Sequence, residues 1–506
     1  MGLEIATIVA LGLYFALMLG IGVYAWRTST DDVAGYMLGG RQLRPSVAAL
    51  TAGASDMSGW MLLGLPGAMY VAGLSAAWIA IGLFIGALAN YLIVAPRLRV
   101  YTEMARDAIT LPDYFDKRFE DRSRMLRVIS SLVIVVFFTL YTSSGLVAGG
   151  KLFETSFGLD YTWGLWITAG VVLAYTMVGG FLAVSLTDFV QGCIMFVALV
   201  LVPVVALMNV GGIGGAAETV RGVDPGMLNL FQGATAISIV SAMAWGLGYF
   251  GQPHIIVRFM AVRSVRDVPT MRNIGMSWML VTLIGALGTG LAGLAYASRT
   301  GLEVADPETI FILLSDVLFD PLITGFLLAA ILAAIMSTIS SQLLVSSSSL
   351  SEDFYSVFLR KDAPQKELVM IGRLAVLAVS LAAIFLAWNP ENSVLGLVSN
   401  AWAGFGAAFG PLVILSLTWK RMTRNGALAG MIVGAVTVLV WIYAPVLADG
   451  GKLSGVIYEI VPGFVLSFLA IVVVSLLGKP PAASVTDTFE AVEAALAEAK
   501  TPAAKG

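Results

Sequence analysis

Charged residues are scarce in this chain, and cysteine and histidine are nearly absent. Only 12% of its 506 residues are Asp, Glu, Lys or Arg, against about a quarter in soluble domains. The single cysteine, Cys193, excludes an internal disulfide, and with one histidine, His254, a His/Cys metal site has too few ligands. The formal net charge is −3 and no basic tract occurs, so no nucleic-acid partner is expected.

Apolar residues make up 58% of the chain, which indicates an all-α polytopic protein of the lipid bilayer. The first apolar run lacks a basic segment and a small-residue cleavage site, so we expect a retained helix rather than a signal peptide. Runs of about 20 apolar residues predict thirteen spans, numbered here in chain order. They are 5–26, 46–73, 74–95, 128–149, 162–180, 189–209, 233–251, 272–298, 322–348, 368–388, 394–418, 425–445 and 456–477.

The basic residues alternate between the two sides of this arrangement. Of the 29 Lys and Arg residues, only Lys151, Arg221, Arg299 and Lys452 fall in loops after even-numbered spans. The others fall after odd-numbered spans or in the tail, with Arg258 counted in the loop after span seven. Because basic loops stay in the cytoplasm, the N-terminus is predicted outside and the C-terminus in the cytoplasm.

Span two carries a polar interruption in its middle, between Thr51 and Trp60. Gly53 and Gly59 weaken a helix, and Asp56 with its serine neighbours offers alternative hydrogen bonds to the backbone. Small residues also let membrane helices pack closely, but a carboxylate near the bilayer midplane usually faces a cavity or a partner. Interrupted helices at that depth are how secondary transporters bind ions and solutes. The segment therefore predicts half of an ion and solute site.

Span nine places Ala334, Ser337 and Thr338 on one helical face, at spacing i, i+3, i+4. Two hydroxyls and a freed carbonyl are hard oxygen ligands without formal charge, which suits Na⁺. The same hydroxyls also join membrane helices by hydrogen bonds, and the face alone leaves both interpretations open.

Span seven is interrupted by three glycines and Pro253 within 246–253. Trp245 and Tyr249, spaced i, i+4, form an apolar wall with a polar tip. They are predicted to line a substrate cavity, with an aromatic belt at the membrane edge as the alternative.

Two further residues are ambiguous. Tyr141 in span four is by itself an ordinary packed tyrosine. Asp188 is predicted in a short loop, 184–188, without a basic neighbour, where it caps a helix or guides cations at the inner mouth.

The interruptions in spans two and seven lie five helices apart, and consecutive five-helix units have opposite orientations in a membrane. This spacing predicts an inverted-repeat transporter. The predicted units are a peripheral helix and loop, 1–45, repeats 46–209 and 210–419, peripheral helices 420–478 and a cytoplasmic tail 479–506.

The segments GASDMSGW from Gly53, GLGYFGQPH from Gly246 and MSTISSQ from Met336 resemble the sodium:solute symporter family. Within that family the resemblance is to bacterial sodium/proline symporters, and it covers the chain apart from the tail. It implies alternating access, Na⁺ as the co-transported ion, L-proline as substrate and the bacterial inner membrane as location. It implies neither enzymatic activity nor an obligatory protein partner.

The resemblance also implies roles for individual residues. The implied sodium ligands are the carbonyls of Ala54, Met57 and Ala334 and the hydroxyls of Ser337 and Thr338, with Asp56, Asp188 and Arg41 in sodium coupling. The residues implied in substrate binding are Ser58, Gly59, Trp60, Tyr141, Trp245, Tyr249 and Pro253. Ser340 and Ser341 are implied at the inner gate.

Alternative functions remain open on the sequence alone. A symporter of the same family for pantothenate, a sugar or a carboxylate would share the sodium site and differ in the aromatic wall. A channel would give uptake without accumulation, and proton coupling through Asp56 would replace sodium.

Overall fold

The computed structural model describes residues 5–28, 35, 38–447 and 451–500. This part of the chain is helical, with one isolated parallel bridge that pairs Leu43 with Val262. The predicted units 1–45, 420–478 and 479–506 therefore include positions outside the described residues, namely 1–4, 29–34, 36–37, 448–450 and 501–506.

Most predicted spans correspond to one long helix each. Spans one, three, four and eight are Ile5–Thr28, Ala77–Met104, Met125–Phe157 and Val268–Thr300. Spans nine, ten, eleven, twelve and thirteen are Pro321–Ser348, Gln365–Leu386, Val394–Thr418, Arg424–Tyr443 and Ile460–Leu477. Shorter helices cover Leu111–Arg118, Gly212–Val223, Ile310–Leu318 and Ala483–Lys500.

Ten helices of the described residues are long and apolar enough to cross a membrane, and two shorter apolar helices, Tyr161–Ala174 and Ala236–Gly251, accompany them. The protein is an integral membrane protein with an all-helical fold. The count of thirteen spans stays a prediction, because the second half of span two runs into span three and spans five and seven contain short helices.

Span two is interrupted where its sequence predicts a weak helix. The first helix, Pro45–Asp56, ends at Met57, whose φ of −84° and ψ of 77° leave the helical region. A wide π-helical turn, Trp60–Gly64, then leads into the helix Leu65–Ala72. Carbonyl groups at the end of the first helix therefore lack partners within that helix and can bind groups from other parts of the protein.

Span seven is interrupted in the same manner. The helix Ala236–Met243 passes into a tight 3₁₀ segment, Ala244–Gly251, and a new helix, Pro253–Ala261, follows. Span three lies directly against this segment, because a Cβ at Gly86 would be 2.1 Å from the carbonyl oxygen of Gly246. Only glycine permits that backbone approach.

The structure breaks the chain between spans five and six at Gly180, the predicted end of span five, and the loop predicted at 184–188 is wrong. The chain from Tyr161 to Asn209 forms one helical stretch whose bend lies at Gly180, with φ 59° and ψ −155°, a conformation open to glycine. The predicted loop 184–188 is helical instead. Its polar residues mislead because Thr187 donates to Ala183 O within the helix and Asp188 has partners inside the protein.

The two ends of the bundle differ in their charges. We call the end with the loops after odd-numbered spans the basic face, and the other end the opposite face. The tail helix Ala483–Lys500 packs on the basic face, where Phe489 and Val492 are buried. Arg118, in the short helix Leu111–Arg118 of the loop after span three, lies 5.3 Å from the ring of Phe489. This cation–π contact joins the tail helix to the loop after span three.

Candidate functional site

The predicted sodium ligands of spans two and nine lie side by side. The hydroxyl of Ser337 donates to the carbonyl oxygen of Ala54 at 2.7 Å and lies 3.1 Å from that of Ala334. Thr338 follows on the same helix, and its buried hydroxyl oxygen has no hydrogen-bond partner. The oxygens of Ala54, Ala334 and Ser337 form a group of hard, uncharged ligands next to the unsatisfied Thr338 in the chain, and oxygens of this type suit a monovalent cation.

Asp56 ends the first helix of span two and is completely enclosed. Its Oδ2 accepts a hydrogen bond from the hydroxyl of Tyr249 at 2.5 Å, while Oδ1 is buried without a partner. Its backbone carbonyl accepts from the indole N–H of Trp60 at 3.1 Å and lies 3.5 Å from the hydroxyl of Tyr141. Three of the aromatic residues predicted to bind substrate thus converge on one interruption.

A small cavity of about 30 Å³ lies beside this convergence, lined by Asp56, Met57 and Tyr249 among others. Gly59 sits where a larger residue would collide, since its Cβ would be 2.8 Å from Ala148. Ser58 is buried at the interruption itself, with its N–H donated to the carbonyl of Asp56 at 3.0 Å.

Neither Trp245 nor Pro253 lines the small cavity beside Asp56. Pro253 opens the second helix of span seven, and its fixed φ suits that first position. Trp245 stacks on Tyr458 with 5.4 Å between ring centroids and lines a large cavity at the opposite face. Trp245 therefore belongs to the lining of the large cavity and not to that of the small one.

Asp188 is neither a helix cap nor a surface residue, which corrects the sequence-based interpretation. It lies inside a helix with no exposed surface and pairs with Arg258 at 3.2 Å. The hydroxyls of Thr51 and Ser341 donate to the same carboxylate oxygen at 2.6 and 3.3 Å. Arg258, counted as a loop residue, is likewise fully buried. A buried ion pair with added hydrogen bonds compensates two charges that neither segment could hold alone.

Arg41 joins several segments at the basic face. Its guanidinium donates to Asp107 at 2.8 Å, to the carbonyl of Met260 at 2.8 Å and to that of Ala108 at 2.6 Å. The loop after span one is therefore tied to the end of span seven and to the loop after span three. Ser340, by contrast, donates only within its helix, to the carbonyl of Ser337 at 3.1 Å.

Sequence reasoning missed Trp402 of span eleven. Its indole N–H donates to the carbonyl of Trp245 at 2.7 Å, and its ring meets that of Tyr249 edge to face, with centroids 5.1 Å apart. A Cβ at Gly248 would lie 1.8 Å from the indole nitrogen. Trp402 therefore holds the 3₁₀ segment of span seven in place. A tryptophan in an apolar helix carries no local signal of this role.

The interrupted span two meets the hydroxyl face of span nine at Ala54 and Ser337, and it meets the interrupted span seven at Asp56 and Tyr249. This arrangement defines the class of the protein, a helical secondary transporter. Comparison with known proteins agrees. The model of the sodium:solute symporter family matches residues 36–434, so the chain belongs to the sodium:solute symporter family. It is a transport protein and not an enzyme.

Curated relatives match over nearly the whole chain. The osmoregulated proline transporter OpuE of Bacillus subtilis is 57% identical over 98% of this chain and 100% of its own. The sodium/proline symporter of Staphylococcus aureus strain NCTC 8325 is 55% identical, over 95% of this chain and 94% of its own.

Solved structures show the same fold at lower identity. A Na⁺-coupled sialic acid symporter in a substrate-bound, outward-open state superposes with a TM-score of 0.79, at 20% identity, over 95% of this chain and 99% of its own. Mhp1, a nucleobase-cation-symport-1 family transporter, superposes with a TM-score of 0.54 at 13% identity, over 90% and 98%.

Proposed function

We propose that this protein imports L-proline together with Na⁺ by alternating access. The observation that carries the proposal is the hydrogen bond of Ser337 to Ala54, because it joins the interrupted span two to the hydroxyl face of span nine. The proline relatives, at 54–58% identity, supply the substrate. In this proposal Trp60, Tyr141 and Tyr249 contact the bound L-proline.

Na⁺ in this mechanism is held by the carbonyls of Ala54, Met57 and Ala334 and by the hydroxyls of Ser337 and Thr338. The ion replaces the hydrogen bond between Ser337 and Ala54 and draws the two helices onto itself. An ion shifts a conformational equilibrium only through different affinities for the two states. A ligand set shared between two helices provides that difference, because relative movement of the helices dismantles it.

Asp56 and the aromatic residues around it link the ion to the substrate. The interruption of span two supplies the carbonyls of Ala54 and Met57 to the ion, and it also carries Asp56, which holds the hydroxyl of Tyr249. Sodium binding therefore orders the substrate contacts. The remaining substrate contacts in this proposal are Ser58, Gly59, Trp245 and Pro253. The Asp188–Arg258 pair, Arg41 and the serines Ser340 and Ser341 form the closed inner side, which opens for release.

We further infer that the chain lies in the cytoplasmic membrane of a bacterium, with its N-terminus outside and its basic face in the cytoplasm. The bias of Lys and Arg toward one face supports that orientation. Residues 46–209 and 210–419 are the inverted repeats, each with its interrupted helix first. The segments 1–45, 420–478 and 479–506 are peripheral.

The energetics suffice for concentrative uptake. One Na⁺ crossing about 100 mV releases about 2.3 kcal/mol, and a tenfold sodium gradient adds about 1.4 kcal/mol. Together they sustain roughly 500-fold accumulation of a zwitterion at one ion per substrate.

Radiolabelled proline uptake into proteoliposomes tests the proposal. We expect accumulation above the external concentration with an inward Na⁺ gradient and none with K⁺ in its place. Uptake that only equilibrates would indicate a channel. Uptake driven by a proton gradient without Na⁺ would refute sodium coupling. If unlabelled pantothenate or a sugar suppressed the labelled uptake and unlabelled proline did not, the substrate would be refuted.

A further inference from the structure

A cavity of about 760 Å³ opens at the opposite face of the bundle. Its wall comes from the start of span seven, the start of span eleven and the loop before span thirteen, and its lining includes Ser241, Trp245, Ser399, Tyr458 and Glu459. Trp245, a predicted substrate contact, is thus reached from this cavity.

Glu459 is the only charged side chain among the described residues that line this cavity. It is 3% exposed, and its Oε1 has no hydrogen-bond partner. It stands at the N-cap position of the helix Ile460–Leu477, yet its side chain makes no capping hydrogen bond. Helix capping therefore does not explain a carboxylate at this position.

An enclosed carboxylate without a counter-ion is costly to keep charged. Burial raises the pKa of Glu459, which just precedes the membrane-spanning helix, to about 7, although a hydrogen bond from its own backbone N–H opposes that shift. A cation from solution would remove the cost by pairing with the carboxylate. The group is therefore set to attract positive charge into the cavity.

The aromatic rings beside Glu459 favour the same kind of ligand. Trp245 and Tyr458 are stacked with 29° between their planes. The hydroxyl of Tyr458 donates to the carbonyl of Ser399 at 2.8 Å, and its backbone N–H donates to Ser241 at 3.1 Å. Fixed aromatic faces attract organic ammonium groups, whereas Na⁺ prefers several oxygen ligands.

We propose that this cavity is an entry site for the protonated amine of a zwitterionic amino acid, with Glu459 and the Trp245–Tyr458 pair as its recognition groups. The inference rests on the proposed function, since L-proline carries a secondary ammonium group. Glu459 could attract either the ammonium group of proline or Na⁺, because both are positively charged. The test must therefore separate an effect on proline binding from an effect on Na⁺ binding.

The Glu459→Gln variant removes the charge and keeps the size of the side chain. In proteoliposomes at saturating Na⁺ we expect the KM for external proline to rise about tenfold, which corresponds to about 1.4 kcal/mol, with maximal rate within about twofold. The half-saturating Na⁺ concentration at saturating proline should not change. Glu459→Asp, which retains the charge, should recover most of the affinity.

Glu391→Gln is the matched control. Glu391 is exposed on the same face, beside the lining residue Asn392, and does not line the cavity. Its charge lies outside the cavity and is screened by solvent, so the KM of this variant should stay near that of the wild type.

Equal KM values in the two Gln variants would overturn the proposal, and so would a change confined to sodium activation, which would assign Glu459 to the ion. If Glu459→Gln fails to reach the membrane, Tyr458→Leu, compared with Tyr458→Phe, carries the same expectation of a raised KM. An absence of Na⁺-driven proline uptake by the wild-type protein would instead refute the proposed function itself.

Discussion

Replacing Thr338 with valine separates ion binding from helix packing. The hydroxyl of Thr338 is enclosed and makes no hydrogen bond within the protein. Valine has nearly the same shape without the polar group. If the hydroxyl only packed the helix, its removal would be neutral or favourable. If it binds Na⁺, the substitution weakens ion binding without weakening the fold.

The magnitudes follow from these two roles. A buried hydroxyl without a partner costs about 1–3 kcal/mol, so without Na⁺ the Thr338→Val variant should be at least as stable as the wild type. Losing one of five ligands should weaken sodium binding about tenfold, or about 1.4 kcal/mol. At a Na⁺ concentration about 100 times the wild-type Kd, ion binding stabilises the wild type by about 2.7 kcal/mol, and the variant by about 1.4 kcal/mol.

Thermal unfolding of the purified protein in detergent, with Na⁺ or with K⁺, measures both effects. We expect similar midpoints in K⁺ and a Na⁺-induced rise about half as large in the variant. The half-saturating Na⁺ concentration for proline uptake should rise about tenfold. Thr338→Ser, which keeps the hydroxyl, serves as control and should respond to Na⁺ as the wild type does.

Two outcomes would refute this reasoning. One is an unchanged sodium response in Thr338→Val, which would remove the hydroxyl from the ligand set. The other is an equal loss of stability in Na⁺ and K⁺, which would show that the hydroxyl stabilises the fold whether or not the ion is present.

Three further predictions concern other residues. Asp56→Asn removes a charged acceptor worth about 1.5–3 kcal/mol, so the half-saturating Na⁺ concentration should rise about 10–100-fold; full uptake at low Na⁺ would contradict this role. Gly248→Ala must displace the indole of Trp402, because the new Cβ would lie 1.8 Å from its nitrogen, and should cost about 1–3 kcal/mol in unfolding assays. Gly170→Ala, with no atom within 4 Å of its Cβ, is its control. The charge of Glu459 is lost as pH falls through about 7, with Tyr458 as its titratable neighbour, so the KM for proline should rise from pH 8 to pH 6 in the wild type and less in Glu459→Gln.

Much of the fold could be predicted because its signals are local. The membrane class follows from the scarcity of charge, and the interruptions of spans two and seven from glycine, proline and polar residues within one turn of each other. The spacing of Ser337 and Thr338 places them on one face whatever lies opposite. Each of these inferences depends on residues close together in the chain.

The errors and omissions have a common physical cause. Asp188 resembles a loop residue only when its partner is unknown, and Arg258 lies 70 positions away. The loop predicted at 184–188 is not needed, because Gly180 alone makes the bend through its positive φ. Trp402 and Glu459 stand in ordinary apolar or loop contexts, and their importance comes from what packs against them.

By itself, the sequence determined the membrane environment, the helical architecture, the places where helices fail and the chemical type of the ligands. Tertiary structure decided which of these groups meet: Ser337 with Ala54, 283 positions apart, and Asp56 with Tyr249, 193 apart. Helix propensity and hydrophobicity are properties of neighbouring residues and can be read along the chain. The proposed ion site joins the interruption of span two to the hydroxyl face of span nine, and it exists only after packing, because only packing brings the freed backbone of one helix within reach of the hydroxyls of another.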